Sequence, residues 1–409
     1  MTALLRPKPE DGAEEPSASV RVPSLPDVAA QARELGLRRV ELVAWRDLDH
    51  PEAGGSEIHA DRIATHWARA GLEVRLTTSR TPGAPAEVTR GGYRARRVAG
   101  RYAVFPRVAM ENLLGPPAER DALVEIWNGM PFLSPLWASG PHLVFLHHVH
   151  AELWRMVLPR GLAAIGEAFE RRVAPRLYRR SVLVTLSSSS RAEIVERLGL
   201  RPEQVRVVPP GVDERFSPGG ARHPHPLVVA VGRLVPVKRF DRLIDVLVQL
   251  KAQHPTLEAE LLGEGWARPA LEARIAAAGA GAWLRLPGRV DDDALLDAYR
   301  RAWVLAAPSQ REGWGMTLSE AAACGTPAVA SRIPGHEDAV HDGETGLLVD
   351  DDAGFFAALD RLLKDYGLRH RLGRAAAQRA TQLRWERTAA ATLAELTAQA
   401  AARRRQAGS

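Results

Sequence analysis

Residues Glu312 to Glu320 read EGWGMTLSE. Two carboxylates stand eight positions apart, with two glycines and then a run that looks like the start of a helix between them. At about 100° per residue, positions eight apart on one helix point roughly 80° away from each other. For both glutamates to meet one ligand, Glu312 must sit in a loop and Glu320 about one turn into the helix. Gly313 and Gly315 suit such a loop, because glycine lets bare backbone approach a ligand closely. The helix start behind them offers unpaired N–H groups and the positive end of a dipole, a setting for phosphate. A polyol, a diphosphate and two nearby carboxylates together describe a nucleotide-sugar. Alone, the pair is equally a strand terminator and a solvated helix residue, so its flanks must decide.

Those flanks, residues 302–352, read AWVLAAPSQREGWGMTLSEAAACGTPAVASRIPGHEDAVHDGETGLLVDDD. They resemble the retaining family-4 glycosyltransferases of the GT-B fold in nearly every block. The likeness covers a hydrophobic strand ending in Pro308-Ser309, the E-x7-E pair, the Glu-Ala-x-Ala-Cys-Gly-x-Pro-x-Val run and the Gly-x-x-Gly-x-Leu-Val ending. The resemblance implies that Glu312 holds sugar hydroxyls and Glu320 the ribose diol. It places Gly313, Trp314, Gly315, Met316 and Thr317 along the same donor.

Length and composition agree with a soluble two-domain enzyme. At 409 residues the chain exceeds one ordinary core, and two domains of roughly 150–200 residues each are expected. No apolar run reaches the roughly 18 residues that span a bilayer. The first residues are rich in Pro, Glu and Ser and read as a disordered tail. One cysteine, Cys324, excludes an internal disulfide framework, fits a cytoplasmic setting and reads as a packed apolar residue. The net charge of +6 comes from arginines scattered among acids, and no nucleic-acid motif accompanies them. Lysine is rare enough to be informative, at Lys8, Lys238, Lys251 and Lys364 only.

Short Val-, Leu- and Ala-rich runs alternate with helical patterns throughout, as in parallel sheets covered on both faces. The pattern restarts after the Pro- and Gly-rich segment Pro209–Pro226. The expectation is α/β: two doubly wound, Rossmann-like domains facing across a cleft, with ligands beyond the carboxyl ends of the strands. Residues 1–37 read as tail and linker, 38–215 as the acceptor domain and 216–384 as the nucleotide-sugar donor domain. By the resemblance, the helix within 385–409 returns to complete the first domain.

Other motifs fall at strand ends. Gly54-Gly55 precedes a helix that reads as starting at Ser56, a good N-cap residue; the resemblance makes this glycine loop a platform for the donor. Asp47 and Asp49 form an Asp-x-Asp, assigned here to the loop and not to a metal. Arg233 and Lys238 lie between a strand and a helix, where two cations oppose the dipole unless an anion sits between them. The resemblance gives both to the departing diphosphate. Gly263-x-Gly265 lacks the third glycine of a dinucleotide fingerprint and resembles the family's loop beside the nucleotide, with Arg289 and Val290 against the base. His147, His148 and His150 follow a strand without acidic or cysteine partners at metal-ligand spacing. In the family one such histidine reaches the transferred sugar; register favours His148 with His147 close behind. Residues 155–181 carry seven arginines among apolar residues and read either as a face for anionic lipid, at the inner membrane surface, or as a packed helix with solvated arginines.

The resemblance therefore implies a retaining, metal-independent transferase with no cofactor, moving a sugar from a UDP- or GDP-type donor to a hydroxyl acceptor: glycan, lipid or small natural product. Nucleic acid is not expected as a partner. The alternatives are a nucleotide-sugar 2-epimerase of the same architecture, and an inactive nucleotide-sugar binding protein.

Overall fold

The computed structural model describes residues 23–115, 119–151, 153–157 and 159–408. The first sheet comprises β1 Arg39–Val43, β2 Glu73–Ser79, β3 Glu87–Arg90, β4 Tyr93–Ala99, β5 Ala122–Trp127, β6 His142–Leu146, β7 Val182–Thr185 and β8 Val205–Val207. Their spatial order is β3-β4-β2-β1-β5-β6-β7-β8, parallel throughout except for β3 against β4. The second sheet comprises β9 Leu227–Val231, β10 Glu258–Leu262, β11 Leu284–Gly288, β12 Val304–Ala307, β13 Ala328–Ser331 and β14 Gly346–Val349. It is wholly parallel, in the order β11-β10-β9-β12-β13-β14.

Helices cover both sheets. In the first half they are α1 Leu25–Glu34, α2 Gly55–Arg69, α3 Val104–Leu114, α4 Leu153–Val157, α5 Arg160–Ala168, α6 Ala174–Tyr178 and α7 Ser188–Leu198. The second half holds α8 Phe240–Gln253, α9 Arg268–Ala277, α10 Asp292–Arg301, α11 Met316–Ala323, α12 His336–Ala339, α13 Asp352–Lys364, α14 Tyr366–Ala380 and α15 Trp385–Ala407. The central strands are mostly apolar because both faces are buried, with Glu41 of β1 and Glu125 of β5 as buried exceptions. In the first sheet Leu42, Val124 and Phe145 pack beneath α1, α2 and α15. Their neighbours Val43 and Leu123 pack with α3, and Val144 and Leu146 with α6. This is the GT-B architecture of two doubly wound halves.

Part of the segment read as tail is folded. Leu25, Val28, Ala29 and Ala32, spaced as one helix face, are buried against α15. Pro26 sits in the first turn, where its missing N–H costs nothing, and Ser24 caps the helix. Residues 1–22 of that segment lie outside the described ones. Helix α15 packs on α1 and α2, and the Trp67 indole donates to the Ala389 carbonyl at 2.9 Å.

The chain passes between the halves twice, and the two passages touch. Val212 N donates to Leu383 O at 2.9 Å, and the Thr388 hydroxyl donates to Pro209 O at 2.8 Å. Gly211 is pressed against the Trp385 backbone so closely that a β-carbon there would collide with it.

Candidate active site

The loops after β1, β6, β9, β10 and β12 leave the carboxyl ends of their strands and meet between the halves. A β-carbon on Gly54 would lie 3.3 Å from Arg233 Nε, and one on Gly55 would lie 3.3 Å from Met316 Sδ. Gly313 lies against the His147 carbonyl, with no room for any side chain. The cleft is therefore closed around glycine backbone.

At its centre, Glu312 lies in the loop after β12 and Glu320 is the fifth residue of α11. Gly315 enters that helix at φ +94, a conformation that favours glycine, and His336 and Leu318 leave no space for a β-carbon. Met316 and Thr317 open the helix, so their N–H groups have no intrahelical acceptor. Lys238 Nζ donates to Glu312 Oε1, which also accepts from Ser309 Oγ at 3.0 Å. Burial works to raise the Glu312 carboxyl, but Lys238, with His336 and Ser309, overrides it and holds the group down at about 2. The guanidinium of Arg233, from the same loop as Lys238, makes no hydrogen bond or ion pair among the described residues. Burial, with Arg46 nearby, lowers its guanidinium from the usual value.

Toward the far end, Tyr299 donates to Glu320 Oε2 at 2.7 Å. Burial nevertheless lifts this carboxyl to about 7, with Asp213 and Asp292 adding to the rise. Beyond it opens a groove of about 620 Å³ lined by Arg215, Arg289, Val290 and Asp291–Asp293. Asp291 is spent as the N-cap of α10, accepting from Ala294 N at 2.8 Å. Gly263 lies so close to the Gly232 carbonyl that the loops after β9 and β10 touch backbone to backbone.

The structure separates the two histidines. His147 is turned into the first half, its Nε2 at 3.3 Å from His59 Nδ1, and is 6% exposed. His148 is half-buried at the cleft, stacked on His150 at 5.9 Å and within the field of Glu312. Burial, together with His150 and Arg311, depresses its imidazole to about 3, so it is neutral near pH 7.

Two loop readings are refined. Helix α2 begins at Gly55 with Gly54 as its N-cap; Ser56 lies inside the first turn, and its hydroxyl donates to Glu57 at 2.8 Å. Glu57 in turn accepts from Gly54 N at 2.7 Å and Arg46 Nε at 2.8 Å, which fixes the glycine loop. Asp47 is bound by Arg97, and Asp49 by Arg97 and Arg90, so both carboxylates serve the loop.

Three contributions escaped the sequence reading. Buried His336 backs Glu312 and Gly315, its Nδ1 at 3.0 Å from Ser331 O. Buried Glu170 accepts from His150 N at 2.7 Å, Ala151 N at 2.9 Å and Trp154 Nε1 at 3.1 Å, which pins the histidine loop. Asp338 bridges the halves, accepting from Ser188 N at 2.8 Å and Ser189 N at 3.1 Å at the start of α7. Ser189 Oγ reaches both Asp338 and Gly335 N, at 2.5 and 2.7 Å. The clue available in sequence was the Ser187–Ser190 run, whose hydroxyls suit a helix start.

Comparison with known proteins bears on both halves. The model described as glycosyl transferases group 1 matches residues 212–379, and that of Glycosyltransferase Family 4 matches residues 53–216. A D-inositol 3-phosphate glycosyltransferase of Streptomyces bingchenggensis is 32% identical, over 83% of this chain and 84% of its own. One from Kribbella flavida is 31% identical, over 88% of this chain and 95% of its own. Among solved structures, sucrose-phosphate synthase from Thermosynechococcus elongatus has a TM-score of 0.73 at 22% identity, covering 87% of this chain and 97% of that one. Anabaena Alr3699/HepE in complex with UDP-glucose has a TM-score of 0.69 at 18% identity, covering 87% and 98%. At such identities these two likenesses speak for the fold.

Proposed function

The chain belongs to glycosyltransferase family 4, and from that membership we propose that it moves a sugar from a nucleotide diphosphate donor to a hydroxyl acceptor with retention at the anomeric carbon. The carrying observation is the convergence of unpartnered Arg233, the Lys238–Glu312 pair and the start of α11 in one closed cleft.

In this reading the diphosphate takes Arg233, Lys238 and the free N–H groups of α11, alongside the Gly54-Gly55 backbone. Donor entry then divides the Lys238–Glu312 pair, sending the ammonium to phosphate and leaving the ionised carboxylate to accept from sugar hydroxyls. Glu320 accepts from the ribose diol, and Arg289 and Val290 flank the base. As the glycosidic bond stretches, negative charge grows on the leaving diphosphate, where preorganised cations contribute most. The two cationic side chains fill the role a metal takes in other transferases, so none is assigned. Neutral His148 bonds the sugar from the first half, and no carboxylate on that side is assigned as a nucleophile. Front-side displacement through an oxocarbenium-like state is the route that follows. The names of the relatives make a phosphorylated cyclitol the first acceptor to try.

The test is calorimetric titration with UDP, GDP and ADP, with NAD as control. One diphosphate binding tightly, and more weakly to Glu320→Gln, supports the donor site. No binding, or binding of NAD alone, would sink it. Proton NMR of the first transfer product then reads the anomeric configuration directly, and inversion would remove retention from the reading.

A further inference from the structure

The helical run from α5 through a π-helical turn, Phe169–Val173, to α6 has two opposed faces. Ala163, Glu170, Ala174 and Tyr178 are buried on one side. On the other stand Leu162, Ile165 and Val173, 56%, 67% and 44% exposed. Between and beyond them Arg160, Arg171, Arg172, Arg176, Arg179 and Arg180 are exposed, and none has an acidic partner among the described residues. The two acids of this run are engaged elsewhere: Glu167 with Arg155, and Glu170 inside the histidine loop. Nine of the eleven large apolar side chains exposed among the described residues lie between Tyr102 and Val173. Helix α3, which carries the exposed Met110, Leu113 and Leu114, packs through Val104, Phe105 and Val108 on the same side of the first sheet as α6 does.

We propose that this face docks on an anionic membrane surface, with Leu162, Ile165 and Val173 in the headgroup–acyl boundary and the arginines among lipid phosphates. Charge selects the occupant. A second copy meeting the same face across a two-fold axis would set arginines against arginines. A nucleic acid would use the guanidinium groups but has no need of exposed aliphatic tips, and single strands take stacking aromatics that this face lacks. Aliphatic tips set among unpaired cations are what an interfacial helix presents to anionic lipid. The inference is independent of the donor reading, since no residue of the cleft enters it.

The experiment is flotation of the full chain with vesicles of phosphatidylglycerol and phosphatidylcholine, against phosphatidylcholine alone. Three proteins are compared: wild type, Arg172→Gln/Arg176→Gln/Arg180→Gln, and Leu162→Ser/Ile165→Ser. All five positions are exposed, and circular dichroism checks that the variants fold. Wild type should float with the anionic vesicles only, less so as salt rises. At about fivefold per arginine near the surface, the triple variant should partition roughly a hundredfold more weakly. The serine variant should lose the residual binding that survives high salt. Wild-type partitioning by the arginine variant, or no flotation of wild type at low salt, would overturn the proposal. Unchanged binding by the serine variant, with equal capture on heparin, would reassign the face to polyanions in general and overturn the membrane.

Discussion

Lys238 and Glu312 hold each other half-buried in the cleft, so removing either leaves a partly desolvated charge without its partner. Lys238→Ala is expected to lower kcat by about 10²–10³, roughly 3 kcal/mol of transition-state stabilisation; single-turnover kinetics at saturating donor measure it, and near-normal turnover would take Lys238 out of the mechanism. Glu320 gives a pH signature. Its carboxyl titrates at about 7 in the folded chain instead of 4.5. Between those values the folded state keeps a proton that the unfolded state has lost, so this group's contribution to stability falls as pH rises across that window. With Glu320 receiving the ribose diol as proposed, affinity for a nucleoside diphosphate should have the opposite sign, because that contact requires the ionised carboxylate, and it should rise as pH passes about 7. Glu320→Gln should flatten both slopes, followed by melting temperature and by calorimetry; an unchanged affinity profile would place the titrating group elsewhere.

Among the elements, the loop after β6, which the proposed chemistry uses, is held from a helical turn outside the cleft. From a π-helical turn Glu170 satisfies two backbone donors of that loop and the Trp154 indole of α4, and Ala151 within the loop sits at φ +44. Glu170→Gln turns one acceptor into a donor facing other donors, a cost of about 1–3 kcal/mol. The expected result is a fall in kcat of tenfold or more with the diphosphate affinity unchanged; a parallel loss of both would mark a general loss of folding. How far such elements could be read in advance depended on their partners. The central strands were legible as apolar runs, and the spacing of Glu312 and Glu320 placed one in a loop and the other a turn into α11. Strand β3, Glu-Val-Thr-Arg on an edge, carries no such run. Helix α1 was hidden by proline and by its distance in sequence from α15, although its buried positions follow helical spacing. Glu170 lies 20 residues from His150 and Asp338 lies 150 from Ser188, separations at which no local pattern signals a hydrogen bond.

At the scale of the whole molecule, the two halves are clasped by direct hydrogen bonds across the cleft. Asp338 on the start of α7, Ser190 Oγ on Gly313 O at 3.3 Å and Arg311 Nε on Val149 O at 2.9 Å all cross the cleft. Asp338→Ala should shift the population toward open forms, seen as a longer distance between dye labels on the two halves, with faster nucleotide release. Gly313→Ala should oppose closure outright because its methyl meets the His147 carbonyl; turnover should fall at least a hundredfold while each half keeps its far-ultraviolet dichroism. If Gly313→Ala turns over normally, the closed arrangement is not the reacting one. The paired passages near Val212 and Leu383 set how that opening proceeds. A single flexible tether would let the halves drift, twist and slide in any direction. Two passages laced together by Val212 N–Leu383 O and Thr388–Pro209 should restrict opening to a swing about one axis, like a door, with the halves expected to close again in the same register.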